Sequence, residues 1–211
     1  EKPILFPSIK VAKNLESLVK KNKVLVYTGY NHRFEPHFIK MKNLIKSKIL
    51  GKIYSCRMFY GNGTARLVKN SKWRDSKLGI LTDLGSHLLD TCLFWFGDNI
   101  KDFKIVFKRK FENKSPDHAI LISEDSKPKI EIEMTYLMWK NYFSCDVLAE
   151  KGSAHISLLC KWGPSTFIYR KRIYPSGRPK DHKKTIKKLD PTWLSELKYF
   201  KRLIKNKTFN D

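Results

Sequence analysis

The sequence has no apolar run long enough to cross a bilayer. The longest, from Leu88 to Phe96, is short and broken by two polar residues, whereas a spanning helix needs roughly 20 apolar residues. Cysteines are few and widely spaced, with no C-x-x-C pair: Cys56, Cys92, Cys145 and Cys160. This spacing disfavours a zinc cluster or a dense disulfide framework. We therefore expect no metal site, and free thiols in a reducing, cytoplasmic environment.

Acidic residues are scarce relative to basic ones, at 20 against 43, which gives a formal charge of +23. Such a positive field favours nucleic acid, anionic membranes or phosphorylated ligands. The lysines, however, are spread along the whole chain, and nucleic-acid readers concentrate basic and aromatic residues on one face. A basic nucleic-acid-binding protein is therefore an alternative and not the leading hypothesis. The densest basic run, residues 178–188, is interpreted as a solvated loop that leads into a helix.

A glycine-rich turn of the dinucleotide-binding type is also missing. The nearest match, residues 61–66 (Gly-Asn-Gly-Thr-Ala-Arg), has Arg66 at the third glycine position, and no helical pattern follows directly. We interpret it as a loop at the edge of a pocket.

The apolar content of 41%, with 13% aromatic residues, is that of a globular protein. Apolar spacing predicts helices over residues 8–21, from Pro36 to just before Gly51, over 80–96, and from Pro191 onward. Predicted strands cover residues 24–27, 53–60, 103–107, 118–123, 129–136, 142–149, 155–159 and 166–172. The hairpin-rich second half predicts an α+β fold with a mostly antiparallel open sheet and helices on one face.

The helix over residues 80–96 carries the most informative polar pattern. Asp83, His87 and Asp90 lie at i, i+4 and i+7 and share one helical face. A carboxylate beside a histidine favours its charged form and fixes its ring, as a general base near neutral pH requires. The alternative is an ordinary amphipathic helix with its polar stripe in water, which is the commoner meaning of an isolated D-x-x-x-H. Gly85 suggests that another backbone or a ligand approaches closely.

Five motifs occur in order along the first hundred residues. They are Glu1-Lys2-Pro3, Gly29-Tyr30-Asn31-His32-Arg33-Phe34, Leu50-Gly51-Lys52-Ile53, Trp73-Arg74, and the segment from Asp83 to Asp90. Each is weak alone, but together they resemble the Gfo/Idh/MocA family of sugar oxidoreductases, which use NAD or NADP. The resemblance implies hydride transfer between a sugar, nucleotide-sugar or cyclitol carbon and the nicotinamide.

The resemblance implies three catalytic residues. Lys2 would position and polarise the substrate hydroxyl, and His87 would accept its proton as hydride leaves for the cofactor. Asp83 would orient His87 and also bind a neighbouring substrate hydroxyl.

Further residues would line the site. Glu1, Lys2, Pro3 and Arg33 would lie near the cofactor, and Asn31, Trp73 and Arg74 would join Asp83 around the substrate. For Asn31 the alternative role is loop capping, and for the two arginines it is surface exposure or pairing with a carboxylate. For Trp73 it is packing.

The resemblance also predicts the domain organisation. Residues 1–30 would be the end of a Rossmann domain that lies mostly upstream, so the chain alone would be inactive and bind dinucleotide poorly. Residues 31–211 would form the substrate-binding and oligomerisation domain, which we expect to pair through an open apolar sheet face into a homodimer or homotetramer. A non-catalytic carbohydrate-binding or scaffold relative is a further alternative, and it would tolerate loss of Lys2 or His87.

Overall fold

The computed structural model describes Lys2 and residues 8–206. Helix α1 (Ile9–Asn22) begins after Ser8, whose hydroxyl accepts a hydrogen bond of 3.3 Å from the Val11 amide. It ends at Lys23, which adopts a left-handed conformation with φ 49°. The helix predicted from apolar spacing is confirmed, although none of its residues is buried.

The strand predicted at residues 24–27 is wrong, because this segment has no regular secondary structure. A strand needs a neighbour to pair with, and no described strand runs beside this segment. Instead, the ring of Tyr27 packs on the last helix, with its centroid 5.6 Å from that of Phe200. A 3-10 turn (Asn31–Phe34) follows, and helix α2 (Pro36–Lys46) then begins with proline in its first turn, as predicted.

Eight strands form one sheet in the order β2-β3-β4-β1-β5-β6-β7-β8. Their bounds are β1 Ile53–Gly63, β2 Lys104–Arg109, β3 His118–Ser123, β4 Lys129–Thr135, β5 Leu137–Ala149, β6 Gly152–Ser157, β7 Ser165–Lys171 and β8 His182–Ile186. Only the β1–β4 pair is parallel among these eight strands. The prediction of a mostly antiparallel sheet is confirmed.

Strand β8 was not expected, since residues 178–188 were interpreted as a solvated loop. Four of its five residues are exposed, and it pairs on one side only, with β7. An edge strand of this kind shows no apolar alternation, and its lysines discourage pairing with another chain. The sequence pattern therefore resembles that of a loop.

Two helices cover one face of the sheet. They are α2 and α4 (Ser86–Phe96), and the ring of Phe38 from α2 lies 5.2 Å from Trp95 of α4 and 5.1 Å from Phe143 of β5. The Trp95 indole N–H donates to the carbonyl of Phe38 at 3.0 Å, so the aromatic contact is also fixed in orientation. Helices on one face, as predicted, thus enclose the core.

The helix predicted over residues 80–96 is irregular at its start. Residues Leu81–Gly85 form a π-helical turn, and α4 continues from it until Gly97. A β-carbon on Gly85 would lie 3.1 Å from the sulfur of Met134, so the close neighbour of this glycine is a side chain of β4. Short π-helical turns often mark functional sites, and this one contains Asp83.

The remaining described elements are short helix α3 (Ala65–Lys69), 3-10 turns at Gly97–Asn99 and Cys160–Trp162, and helix α5 (Thr192–Lys205). Within Lys2 and residues 8–206, no helix has both the length and the apolar character that a membrane span requires.

Candidate active site

A cavity of about 370 Å³ opens between the end of β1, the π-helical turn and the start of α5. It is lined by Lys2, Gly29, Asn31, Tyr60, Asn62, Trp73, Arg74, Asp83, Leu84, His87, Lys161 and Trp193. Six of the predicted site residues are among these, and Arg33 is not. Glu1 and Pro3 lie outside the described residues.

Asp83 is the centre of a charged cluster in this cavity. Its Oδ1 lies 2.5 Å from the ammonium of Lys2, which also donates to the Asp83 carbonyl at 3.2 Å. Its Oδ2 accepts a hydrogen bond of 3.1 Å from the Tyr136 hydroxyl, and the Arg74 Nε lies 3.4 Å away in an ion pair. One carboxylate thus holds together three segments that are far apart in the sequence.

His87 is not held by Asp83, in contrast to the expected arrangement. No hydrogen bond joins these two side chains in the described structure, in which the carboxylate bonds Lys2 and Tyr136. The π-helical turn widens the spiral at Asp83, so the i, i+4 spacing no longer has the geometry of a regular α-helix. The ring of His87 instead stacks on that of His32, with centroids 4.0 Å apart and planes at 20°.

The electrostatic environment of His87 is also opposite to the expected one. Burial lowers the pKa of His87 to about 2, and the positive charges of Lys2 and Lys161 act in the same direction. Its imidazole is therefore neutral, with a buried Nδ1 that has no hydrogen-bond partner among the described residues. The sequence suggested a histidine whose charged form is favoured, and this expectation is wrong because the ring is buried, lies near two lysines and has no hydrogen bond with Asp83.

Lys161 is a cavity residue that the sequence did not reveal. It lies in the 3-10 turn between β6 and β7, and its ammonium donates to the Tyr60 hydroxyl at 3.2 Å. The residue as a whole is exposed, but burial of its ammonium lowers its pKa, against the opposing pull of Glu35. One lysine among so many has no distinguishing signal in the sequence. The two tyrosines, Tyr60 and Tyr136, could have been suspected, since a buried tyrosine hydroxyl needs a partner.

Asn31 and Trp73 both reach the cavity. The Asn31 amide donates to the hydroxyl of Thr192 at 2.9 Å, which joins the turn after Tyr30 to the first residue of α5. The Trp73 side chain is 48% exposed, so packing in the core is not its role. Its ring lies 5.1 Å from the Arg74 guanidinium and 5.9 Å from the Lys2 ammonium.

Arg33 lies apart from the cavity and pairs with a carboxylate. Its Nε and a terminal nitrogen contact both oxygens of Asp90, at 2.9 and 2.7 Å. Burial raises the pKa of the Asp90 carboxyl, and the Arg33 charge opposes that rise. Asp90, the third residue of the predicted polar stripe, is therefore the ion-pair partner of Arg33 and does not line the cavity.

The segment Gly61-Asn62-Gly63 is the end of strand β1 and not the loop that the sequence predicted, although Asn62 lines the cavity. It is not a phosphate-binding turn. A β-carbon on Gly63 would lie 2.6 Å from the carbonyl oxygen of Met138, so this glycine allows β5 to approach closely. The helix that follows has only five residues. Over the described part of the chain, no group of three or more His, Cys, Asp or Glu could hold a metal ion.

Comparisons with known proteins agree with this architecture. The profile of the GFO/IDH/MocA C-terminal domain matches residues 38–155. A glucose-6-phosphate 3-dehydrogenase of Bacillus subtilis is 30% identical over 130 residues, which cover 59% of this chain and 37% of that enzyme.

Two solved structures have a similar fold. An oxidoreductase from Desulfitobacterium hafniense superposes with a TM-score of 0.79 at 20% identity, over 97% of this chain and 62% of that one. A levoglucosan dehydrogenase in complex with NADH superposes with a TM-score of 0.65 at 17% identity, over 85% of this chain and 51% of that one. The chain thus spans less than two thirds of the length of each relative. Because the profile covers more than half of the sequence, the chain belongs to the GFO/IDH/MocA family and contains its C-terminal domain.

Proposed function

We propose that this chain is part of an NAD(P)-dependent oxidoreductase that transfers hydride between a hydroxyl-bearing carbon of a sugar, nucleotide-sugar or cyclitol and a nicotinamide. The observation that carries the proposal is that Lys2, Asp83 and His87 line one cavity of about 370 Å³. This volume is within the range of small-molecule sites, about 300–1,000 Å³. The names of the Bacillus subtilis relative and of the levoglucosan dehydrogenase bound to NADH support a sugar substrate and a nicotinamide cofactor.

The contacts of the three residues support the roles that we propose for them. Lys2, held by Asp83 at 2.5 Å, presents an ammonium that can donate to the substrate oxygen and stabilise negative charge on it. His87 is neutral and therefore able to accept the hydroxyl proton. Asp83 keeps Lys2 in place and can accept a hydrogen bond from a neighbouring substrate hydroxyl.

The described residues can accommodate the nicotinamide end of the cofactor but not its pyrophosphate. When bound, NAD or NADP supplies the site that accepts or gives hydride, and Lys2, His87 and half-exposed Trp73 border the cavity where the reacting carbon would lie. The Gly61–Gly63 segment at the end of β1 is closely packed against β5 and cannot cradle a pyrophosphate. We therefore propose that the remaining cofactor contacts belong to a Rossmann domain that lies mostly upstream. Residues 1–30 would be the end of that domain, and Glu1 and Pro3 would lie near the cofactor.

We also propose a homodimer or homotetramer that forms through the outer face of the sheet. This face is not the apolar surface that the sequence led us to expect. It combines aromatic rings, Phe59 and Tyr142, with ion pairs such as Arg57–Glu131 at 3.1 Å. Aromatic residues are enriched at subunit interfaces, so the two rings support the proposal. Light scattering coupled to size-exclusion chromatography measures the mass in solution, and a monomer at all concentrations would reject the proposal.

A cytoplasmic location is proposed from the thiols. All four cysteines are buried and free, and the sulfurs of Cys56 and Cys145 lie 3.9 Å apart without a bond. Free thiols so close together are typical of a reducing compartment.

The test uses the full-length protein and a panel of sugars, with reduction of the nicotinamide followed by absorbance. His87→Ala is expected to lower turnover by about a hundredfold or more, since a general base contributes roughly 10²–10⁴. His182→Ala, on the exposed edge strand β8, is the matched control and is expected to leave turnover unchanged. Sugar binding without turnover by the unmodified protein would support the non-catalytic alternative instead.

A further inference from the structure

The cavity contains an excess of positive charge. Three cations line it, Lys2, Arg74 and Lys161, whereas Asp83 is its single carboxylate among the described lining residues. Lys2 and Arg74 both pair with Asp83, so this carboxylate is already shared by two cations.

Lys161 is the cation without a counter-charge in contact. Within the described structure, no carboxylate lies in ion-pair distance of its ammonium, and its hydrogen-bond partner is the neutral hydroxyl of Tyr60. Glu35 and Asp190 act on it only at longer range. An ammonium has three donors, so two remain to be directed at a ligand.

The surroundings of Lys161 fix its position. The amide of the preceding residue, Cys160, donates to the buried carboxylate of Glu35 at 3.3 Å, which anchors the turn. The Lys161 ammonium then lies 4.8 Å from the ring centroid of Trp162, and that ring lies 5.5 Å from Tyr60. Tyr60 is only 2% exposed, so the ammonium is held against a rigid wall of the cavity.

We propose that Lys161 binds an anionic substituent, a phosphate or a carboxylate, on the sugar that enters this cavity. The proposal rests on the proposed function and narrows its substrate class to charged sugars. A partly buried cation without a partner is unfavourable, and an anion that replaces its lost hydration makes charge-assisted hydrogen bonds. Arg74 and Lys2 line the same cavity, and their two charges, which the single charge of Asp83 balances only in part, favour the same class of ligand.

The neighbouring imidazole supports the assignment. Burial and, to a smaller extent, the charges of Lys2 and Lys161 lower the pKa of His87 to about 2, and these charges weaken it as a proton acceptor. An anion beside Lys161 would offset that charge and raise the pKa of His87 toward the range in which general bases work. Binding of the charged group and activation of the base would thus be linked.

The test compares neutral and charged sugars on the full-length protein without cofactor, by calorimetry at physiological salt, where interactions with distant charges are screened. The probes are glucose, glucose 6-phosphate, gluconate and inorganic phosphate. At least one charged sugar is expected to bind about tenfold or more tighter than glucose. Tighter binding of glucose 6-phosphate would identify phosphate as the preferred group, and tighter binding of gluconate would identify carboxylate. Lys161→Met is expected to reduce this preference to within about twofold, and Lys161→Arg to retain most of it.

A matched control separates the local site from the general positive field. Lys104→Met removes the same charge from the exposed edge strand β2 and is expected to leave the preference unchanged. Equal binding of glucose and both charged sugars, or a preference that survives Lys161→Met, would overturn the proposal. Charged sugars that bind through Lys161 but never reduce the cofactor would reject the dehydrogenase assignment and keep the anion site.

Discussion

The imidazoles of His32 and His87 stack face to face, with centroids 4.0 Å apart and planes inclined by 20°. His32 is 1% exposed, and neither of its ring nitrogens has a hydrogen-bond partner among the described residues. Burial, with the positive charges of Lys161 and Lys2, keeps the pKa of His32 well below its usual value. The base proposed for the reaction is therefore positioned by a second neutral ring and not by a carboxylate.

This stack gives a prediction for catalysis. His32→Ala is expected to lower kcat by about tenfold, with KM within about twofold, because the ring of His87 loses the surface that fixes its orientation. His32→Phe restores a flat ring and is expected to recover most of kcat. Steady-state kinetics on the full-length protein measure both values, and an equal loss in the two variants would show that the nitrogens of His32 matter and not its stacking.

Buried neutral histidines also predict how stability depends on pH. The folded-state pKa values of His32, His37 and His87 are depressed, so the unfolded chain binds more protons below pH 6.5. Their effect on the free energy of unfolding is therefore small above pH 6.5, and it becomes destabilising as pH falls below that value. At pH 5 a histidine that stays neutral when folded costs about 2 kcal/mol. Urea unfolding is expected to show that His32→Phe reduces the difference in stability between pH 7.5 and pH 5 by about this amount, and an unchanged difference would contradict the prediction.

The Arg33–Asp90 pair is predicted to stabilise the fold. Arg33→Met is expected to lower the free energy of unfolding by about 2–3 kcal/mol at pH 7, because it leaves a buried carboxylate without its partner. The folded-state pKa of Asp90 is already raised by burial, and without Arg33 it rises further. An acid whose folded-state pKa is raised contributes stability that is present at low pH and lost as pH rises. The loss in the free energy of unfolding caused by Arg33→Met is therefore expected to be smaller at pH 4 than at pH 7.

Urea unfolding at the two pH values measures this effect. Adding Asp90→Asn to Arg33→Met is expected to recover part of the loss at pH 7, since the charge is then removed. A large rise in the KM for the cofactor with unchanged stability would instead support the role near the cofactor that the sequence suggested.

Tyr136 is predicted to position the charged cluster. Its hydroxyl donates to Asp83 at 3.1 Å and is buried, so Tyr136→Phe leaves one carboxylate oxygen without this donor. We expect a loss of about 1 kcal/mol in stability and a several-fold fall in kcat, as Asp83 and Lys2 shift. Tyr174→Phe, in the exposed turn after β7, is the control and should change neither value. If Tyr136→Phe had the same kinetics as the unmodified protein, the positioning role of Tyr136 would be rejected.

Local patterns in the sequence were sufficient for most elements. Apolar residues at helical spacing located α1 and α2, and alternation located most strands of the sheet, because these signals depend on near neighbours. The edge strand β8 and the irregular segment after α1 were missed. In both cases pairing between distant segments, and not local preference, decides whether a strand forms.

The sequence by itself determined which chemistry was available: a lysine, an aspartate and a histidine in motifs that resemble one family. Only the tertiary structure decided how they interact, since contacts across 81 residues assign Asp83 to Lys2 and leave His87 to stack on His32. The tertiary structure also places Lys161 in the cavity, whereas Arg33 lies outside it and pairs with Asp90. The charge and burial around a side chain depend on residues remote in the chain, and for that reason spacing alone gave the wrong protonation preference for His87.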